Sequence, residues 1–139
     1  GSIKFSCTNR LSQTDREIRL EPRYMGRALG NLIQNAATYA NGRIAVVMAD
    51  EGGDCLIHVD DDGPGIPEAD RRRVFKAFTR LDTSRDRDTG GFGLGLAIVQ
   101  RVVAWHEGRV EISRSPLGGA RFTIRWPGFP ADEQRTSDG

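Results

Sequence analysis

The chain has 139 residues, with 20 basic against 19 acidic side chains and a net charge of +1. That length fits one domain with a core of its own, and the charge balance excludes a general attraction to nucleic acid or to an anionic membrane. No apolar run reaches the ~18 residues of a membrane span, and Cys7 and Cys55 match no metal or redox spacing, so they read as small hydrophobes in a reducing compartment.

Gly1-Ser2 has the look of a cloning scar, and no signal-peptide pattern follows it. Alternation predicts short strands over Ile3–Cys7 and Glu17–Glu21. A helix then starts at Pro22, a residue suited to a first turn, and carries Met25, Leu29, Leu32, Ile33, Ala36 and Ala40 at helical spacing until Asn41-Gly42. Two strands flank Glu51-Gly52-Gly53 as a hairpin, and a short helix is expected from Glu68 to Phe78. Residues 82–93, polar and glycine-rich, read as a loop. A second long helix follows with the apolar stripe Leu94, Ile98, Val102 and Trp105, Ala97 beside it and Gly108 closing it. Strands over residues 109–114 and 120–127 surround the turn Ser115–Gly119, and Gly128–Gly139 reads as a loose tail. Hairpin-linked strands with helices between them predict the α+β class: a two-layer α/β sandwich with a mixed, mostly antiparallel sheet and helices on one face. A doubly wound nucleotide fold is excluded by this order.

Three segments carry chemistry. In "NLIQNAATY", Asn31 and Asn35 stand four apart and share a helix face. Carboxamide oxygens are neutral hard ligands that complete a Mg²⁺ shell beside a polyphosphate without adding repulsion; a pair of surface asparagines is the plain alternative. In "VDDDGPGIP", Asp61 ends a strand just ahead of Gly63 and Gly65, with Pro64 stiffening the turn. A carboxylate so placed accepts a hydrogen bond from an exocyclic amine such as adenine N6, while an ordinary tight turn is the other reading. Asp60 and Asp62 are expected to face solvent. In "GGFGLGLAIV", Gly90, Gly91, Gly93 and Gly95 leave bare N–H groups at a helix start, where the macrodipole favours phosphate; a flexible linker would have the same glycines. Residues 71–87 hold seven basic and two acidic side chains. Of these, Arg80 and Arg85 are suited to a terminal phosphate, and Arg71–Arg73 to an exposed helix face.

In order, these segments resemble the ATP-binding catalytic domain of bacterial sensor histidine kinases, in the superfamily shared with gyrase, Hsp90 and MutL. "NLIQNAATY" matches the N box, "DDGPGIP" the G1 box, "RRVFKAFTRLD" the F box and "GGFGLGLAIV" the G2 box, and "SPLGGARFTIRWP" looks like the last glycine motif and closing strand. The resemblance covers about residues 3–127, and "RLDTSRDRDTGGFGLGLAIV" with "GGARFTIRWP" looks most like RstB-type kinases. It implies a Bergerat-type fold, a domain over residues 3–127, a lid over 82–93 and a tail over 128–139.

The resemblance also implies ATP and Mg²⁺ as cofactors. Asp61 would meet the adenine amine, with Tyr39 against the base and Gly63, Gly65 and Ile66 around it; Asn31 and Asn35 would hold Mg²⁺. Arg80 and Arg85 would touch the γ-phosphate, and Gly91, Phe92, Gly93, Leu94, Gly95 and Leu96 would wrap the phosphates. Phe75 and Phe78 would anchor the lid. Thr38 stands where many members carry Lys or Arg, and Phe92 where a small residue is common. Members that hydrolyse ATP carry a glutamate four residues before the metal asparagine; Asn31 takes that place and cannot accept a proton at neutral pH, which favours transfer to a protein nucleophile. His58 and His106 both lack the family's acceptor context and read as structural. The implied partners are a separate dimerisation and phosphoacceptor domain and a response regulator, with no nucleic acid and no membrane contact by this segment, on the cytoplasmic side of an inner-membrane kinase. A regulatory nucleotide-binding module, a gyrase-like ATPase and a nucleic-acid binder using residues 71–87 are the rival readings.

Overall fold

The computed structural model describes residues 2–13, 16–74 and 93–129. Strands β1 (Lys4–Asn9), β2 (Arg43–Glu51), β3 (Asp54–Asp61), β4 (Arg109–Arg114) and β5 (Ala120–Trp126) form one sheet in the order β1-β2-β3-β5-β4. Only β1–β2 is parallel; the other three pairings are antiparallel. Helices α1 (Pro22–Tyr39) and α3 (Gly93–Trp105) lie against one face of the sheet and against each other. A short helix, α2, is described over 68–74. The architecture is the expected two-layer α+β sandwich.

The alternation of β3 organises both faces. Cys55, Ile57 and Val59 stand opposite Trp126, Ile124 and Phe122 of β5, and all six belong to the core beneath the helices. The intervening residues pair on the other face as Leu56 with Arg125, His58 with Thr123, and Asp60 with Arg121. Continuing the period by two residues places Asp61 at the strand end on the helix-covered face. Helix α1 closes that side with Met25, Ala28, Leu32, Asn35 and Ala36 buried along one stripe. Gly52 and Gly53, with φ of 56° and 91°, make the two-residue β2–β3 turn, a conformation that favours glycine at both places.

Several expectations change. Glu17–Glu21 is not a strand. Ile18 and Leu20 do pack on the core, but the backbone bonds go elsewhere: Arg19 N–H to Gly128 O, Trp126 Nε1–H to Arg19 O, and Glu21 N–H to His106 Nε2. In α3 the buried residues are Leu96, Ala97, Val99, Val102 and Val103, whereas Trp105 is 62% exposed and meets Tyr24 edge to face. Of the expected stripe, Ala97 and Val102 are buried and Ile98 packs on the core, so the departure is at Trp105. The left-handed residue that ends it is Glu107, not Gly108. Bonds from Glu107 N–H to Ala104 O and from Gly108 N–H to Val103 O close a Schellman motif. Gly108 is small for another reason: a Cβ there would lie 2.1 Å from Arg125 O.

Asp60 does not face solvent; it is 2% exposed and paired through both oxygens with Arg121 at 2.7 and 2.9 Å. Asp62 is also engaged: its Oδ1 accepts N–H bonds from Asn41, Gly42 and Arg43, fixing the α1–β2 connection. Phe129, two residues past the expected boundary, is buried in the core and stacks under the Arg16 guanidinium. Cys55 is fully buried, and burial pushes its thiol up to about 11, while Cys7 is exposed on the edge strand.

Candidate functional site

The C-terminal half of α1, the end of β3 and the start of β5 converge on a cavity of about 110 Å³. Its lining is Asn35, Tyr39, Asp61, Pro64, Gly65, Ile66, Ala120 and Phe122. Five of these are sequence-predicted site residues: Asn35, Tyr39, Asp61, Gly65 and Ile66. Asn35 and Tyr39 arrive together because they are one helical turn apart. The walls are mostly apolar and the polar groups are few, a composition suited to a ring held by a single directional contact.

Asp61 is the carboxylate in that lining. It is 3% exposed, and its Oδ1 accepts N–H bonds from Gly63 at 2.8 Å and Ala120 at 3.2 Å. With Oδ1 so engaged, Oδ2 keeps the spare acceptor capacity. Burial pushes the Asp61 carboxyl above its ordinary value, and the two N–H bonds oppose that shift. Gly63 does not line the cavity but makes it possible: a Cβ there would lie 2.3 Å from Tyr39 O. Gly65 has φ +77°, a backbone region that favours glycine.

Asn35 is 7% exposed, and its Oδ1 is the one fully buried side-chain polar atom without a hydrogen-bond partner among the described residues. A buried unpaired acceptor costs about 1–3 kcal/mol, so an oxygen held this way at a cavity wall is poised for a ligand. Asn31 lies one turn earlier, outside the cavity lining, and its Nδ2 donates to Gly95 O across the α1–α3 contact at 3.4 Å. That bond uses the amide nitrogen and leaves Oδ1, the atom a cation would take, as an acceptor. Among the described residues no three His, Cys, Asp or Glu side chains form a metal-binding group. A cation beside Asn35 would draw most of its oxygens from a ligand and water, a pattern typical of Mg²⁺ on phosphate.

Gly93 and Leu94 open α3, Gly95 sits against Asn31, and the Leu96 side chain is in the core. Arg80, Arg85, Gly91, Phe92, Phe75, Phe78 and residues 82–92 of the lid lie outside the described residues. Neither histidine is near the cavity lining. His58 Nδ1 pairs with Thr123 Oγ1 at 2.8 Å on the far face of the sheet, and burial lowers its basicity. His106 Nδ1 donates to Val102 O while Nε2 accepts from Glu21 N–H, so both nitrogens are structural. Sequence reading missed Ala120 and Phe122 as lining, and Gly119 beside Asp61. Phe122 pairs with Val59 and Ala120 N–H reaches Asp61 Oδ1 across β3 and β5, contacts between distant segments that no local pattern shows.

The profile of the family described as histidine kinase-, DNA gyrase B-, and HSP90-like ATPase matches residues 21–129. The chain is 45% identical over 108 residues to the sensor protein RstB of Escherichia coli strain K12, covering 78% of this chain and 25% of that protein. It is similar to the crystal structure of the ATP binding domain of PrrB from Mycobacterium tuberculosis, with TM-score 0.64, 29% identity and coverage of 87% and 81% of the two chains. The NMR structure of the histidine kinase domain of the E. coli osmosensor EnvZ gives TM-score 0.62 at 37% identity, covering 89% and 75%. The chain spans about a quarter of the length of the curated relatives it matches.

Proposed function

The chain belongs to the histidine kinase-, DNA gyrase B-, and HSP90-like ATPase family, and from that membership we propose that it binds Mg-ATP and supplies the γ-phosphate to a histidine on a separate dimerisation and phosphoacceptor domain. The observation that carries the reading is the buried Asp61 carboxylate in an apolar cavity, one oxygen fixed by two backbone N–H groups. Its other oxygen accepts from the adenine amine, and Tyr39, Ile66 and Phe122 cover the ring. Asn35 Oδ1 and Asn31 Oδ1 would hold the metal, the Asn31 amide keeping its Nδ2–H bond to Gly95 O. Mg²⁺, when bound, neutralises phosphate charge and orients the terminal group.

Beyond the cavity, the start of α3 offers N–H groups at Gly93–Leu96 to the phosphates, and Arg80 and Arg85 stabilise the γ-phosphate. Catalysis is then positioning and charge stabilisation. The place a water-activating carboxylate would occupy holds Asn31, so the phosphoryl group is reserved for a protein acceptor. That acceptor lies outside this segment, since His58 and His106 are both engaged elsewhere. The partners that follow are the phosphoacceptor domain and, downstream, a response regulator, with this segment on the cytoplasmic side of a membrane kinase. No described helix is long and apolar enough to cross a membrane.

The test is to incubate the chain with Mg-[γ-³²P]ATP and the matching phosphoacceptor domain. Acid-labile, base-stable label on that domain is the expected result. Steady phosphate release without label would favour an ATPase instead, and neither, at saturating nucleotide, a regulatory module.

A further inference from the structure

The β4–β5 turn ends in two glycines that differ in purpose. Gly118 has φ +104°, and a Cβ there would meet nothing within 4 Å. It serves the turn's backbone conformation. Gly119 has no positive φ, yet a Cβ there would lie 2.1 Å from Asp61 Oδ1, 2.6 Å from Gly63 N and 2.7 Å from Asp61 O. Two of those atoms are the donor and acceptor of the Gly63 N–H···Oδ1 bond. A methyl group at 119 would have to displace the carboxylate or the G1-box turn, and both are backbone-anchored.

The turn also holds Asp61 by hydrogen bonds. Gly119 N–H donates to Asp61 O at 3.1 Å, and Ala120 N–H donates to Oδ1 at 3.2 Å. It is itself stiff: Ser115 N–H donates to Gly119 O and Gly118 N–H to Ser115 O, while the buried Ser115 accepts Leu117 N–H at its Oγ. A turn closed in this way transmits its position to the carboxylate.

We propose that Gly119 is a positioning residue for base selection: its bare Cα lets the β4–β5 turn clamp one oxygen of Asp61 and leave the other for an exocyclic amine. The inference rests on the adenine reading of the cavity. It makes the last glycine motif part of purine discrimination and separates its two glycines by role.

ATP and ITP differ at purine position 6, an amine against a carbonyl oxygen, so their affinity ratio reports the Asp61 contact. Calorimetry of the chain with each nucleotide should show a preference for ATP of about tenfold or more. Gly119→Ala should weaken ATP roughly tenfold and bring the ratio near one, because ITP never had the amine to lose. Gly118→Ala should lower the thermal midpoint and keep the ratio. Should Gly119→Ala fail to fold, Ser115→Ala, which loosens the turn from within, should cut the ratio roughly threefold. A ratio that survives either substitution overturns the role of Gly119. Equal affinity of the unmodified protein for ATP and ITP would instead sink the adenine reading, and this inference with it.

Discussion

Replacing Asp61 by Asn exchanges one heavy atom and separates binding from folding. Two backbone N–H groups, from Gly63 and Ala120, converge on Oδ1. An amide must turn its carbonyl oxygen toward them, which places its NH₂ where Oδ2 stood, against the adenine amine. The loss is a hydrogen bond to a charged acceptor, about 1.5–3 kcal/mol, plus the cost of donors left facing one another, about 1–3 kcal/mol. The smaller figures together already predict a Kd for ADP raised on the order of a hundredfold. The ligand-free fold should not suffer. Burial raises the Asp61 carboxyl, so its contribution to stability is full below the unfolded value near 3.8 and is lost as pH rises through the folded one. At neutral pH the carboxylate is a burden that the amide removes, and the thermal midpoint of Asp61→Asn should equal or exceed that of the parent. Calorimetry with ADP and thermal melts at pH 7 read both halves. Unchanged ADP affinity in a folded variant would refute the assignment; lost affinity with a lower midpoint would refute the account of how Asp61 is held.

Asn35→Ala should lose the Mg²⁺ dependence of ATP affinity, so that titrations with and without EDTA coincide, where the parent should weaken about tenfold without the metal. Asp62 is held below its ordinary carboxylate range by Gly42, Arg43 and Asn41 N–H bonds, so its contribution is present above the unfolded value and disappears as pH falls through the folded one. Asp62→Ala should therefore lower stability at pH 7 and flatten its decline in acid, read from denaturant melts across pH. Glu107→Gly puts glycine at the left-handed end of α3 and should stabilise by about 0.5–1 kcal/mol, measurable in urea.

The sequence made most of the frame legible, for reasons particular residues show. The Gly52-Gly53 turn announced the hairpin, and Asp61 was read at the end of its second strand, since both signals are local in the chain. The α1 stripe likewise brought Asn35 and Tyr39 to one cavity. What failed depended on contacts between distant segments. Ile18 and Leu20 alternate like a strand, but the backbone of Arg19 and Glu21 beside them found a tryptophan, a histidine ring and residue 128 rather than a ladder. Helix α3 is apolar nearly all round, so spacing found Ala97, Ile98 and Val102 but also drew in the exposed Trp105. Asp60 reads as one more acid in a run of three until β5 brings Arg121 opposite it. Gly119 looks like a turn residue until the distance to Asp61 is known.

The most direct measurement is a crystal structure of the chain with Mg²⁺ and a non-hydrolysable ATP analogue. An adenine amine within hydrogen-bonding distance of Asp61, with the metal ligated by Asn35, is the predicted result. A purine seated away from the cavity between Tyr39, Ile66 and Phe122 would contradict the account.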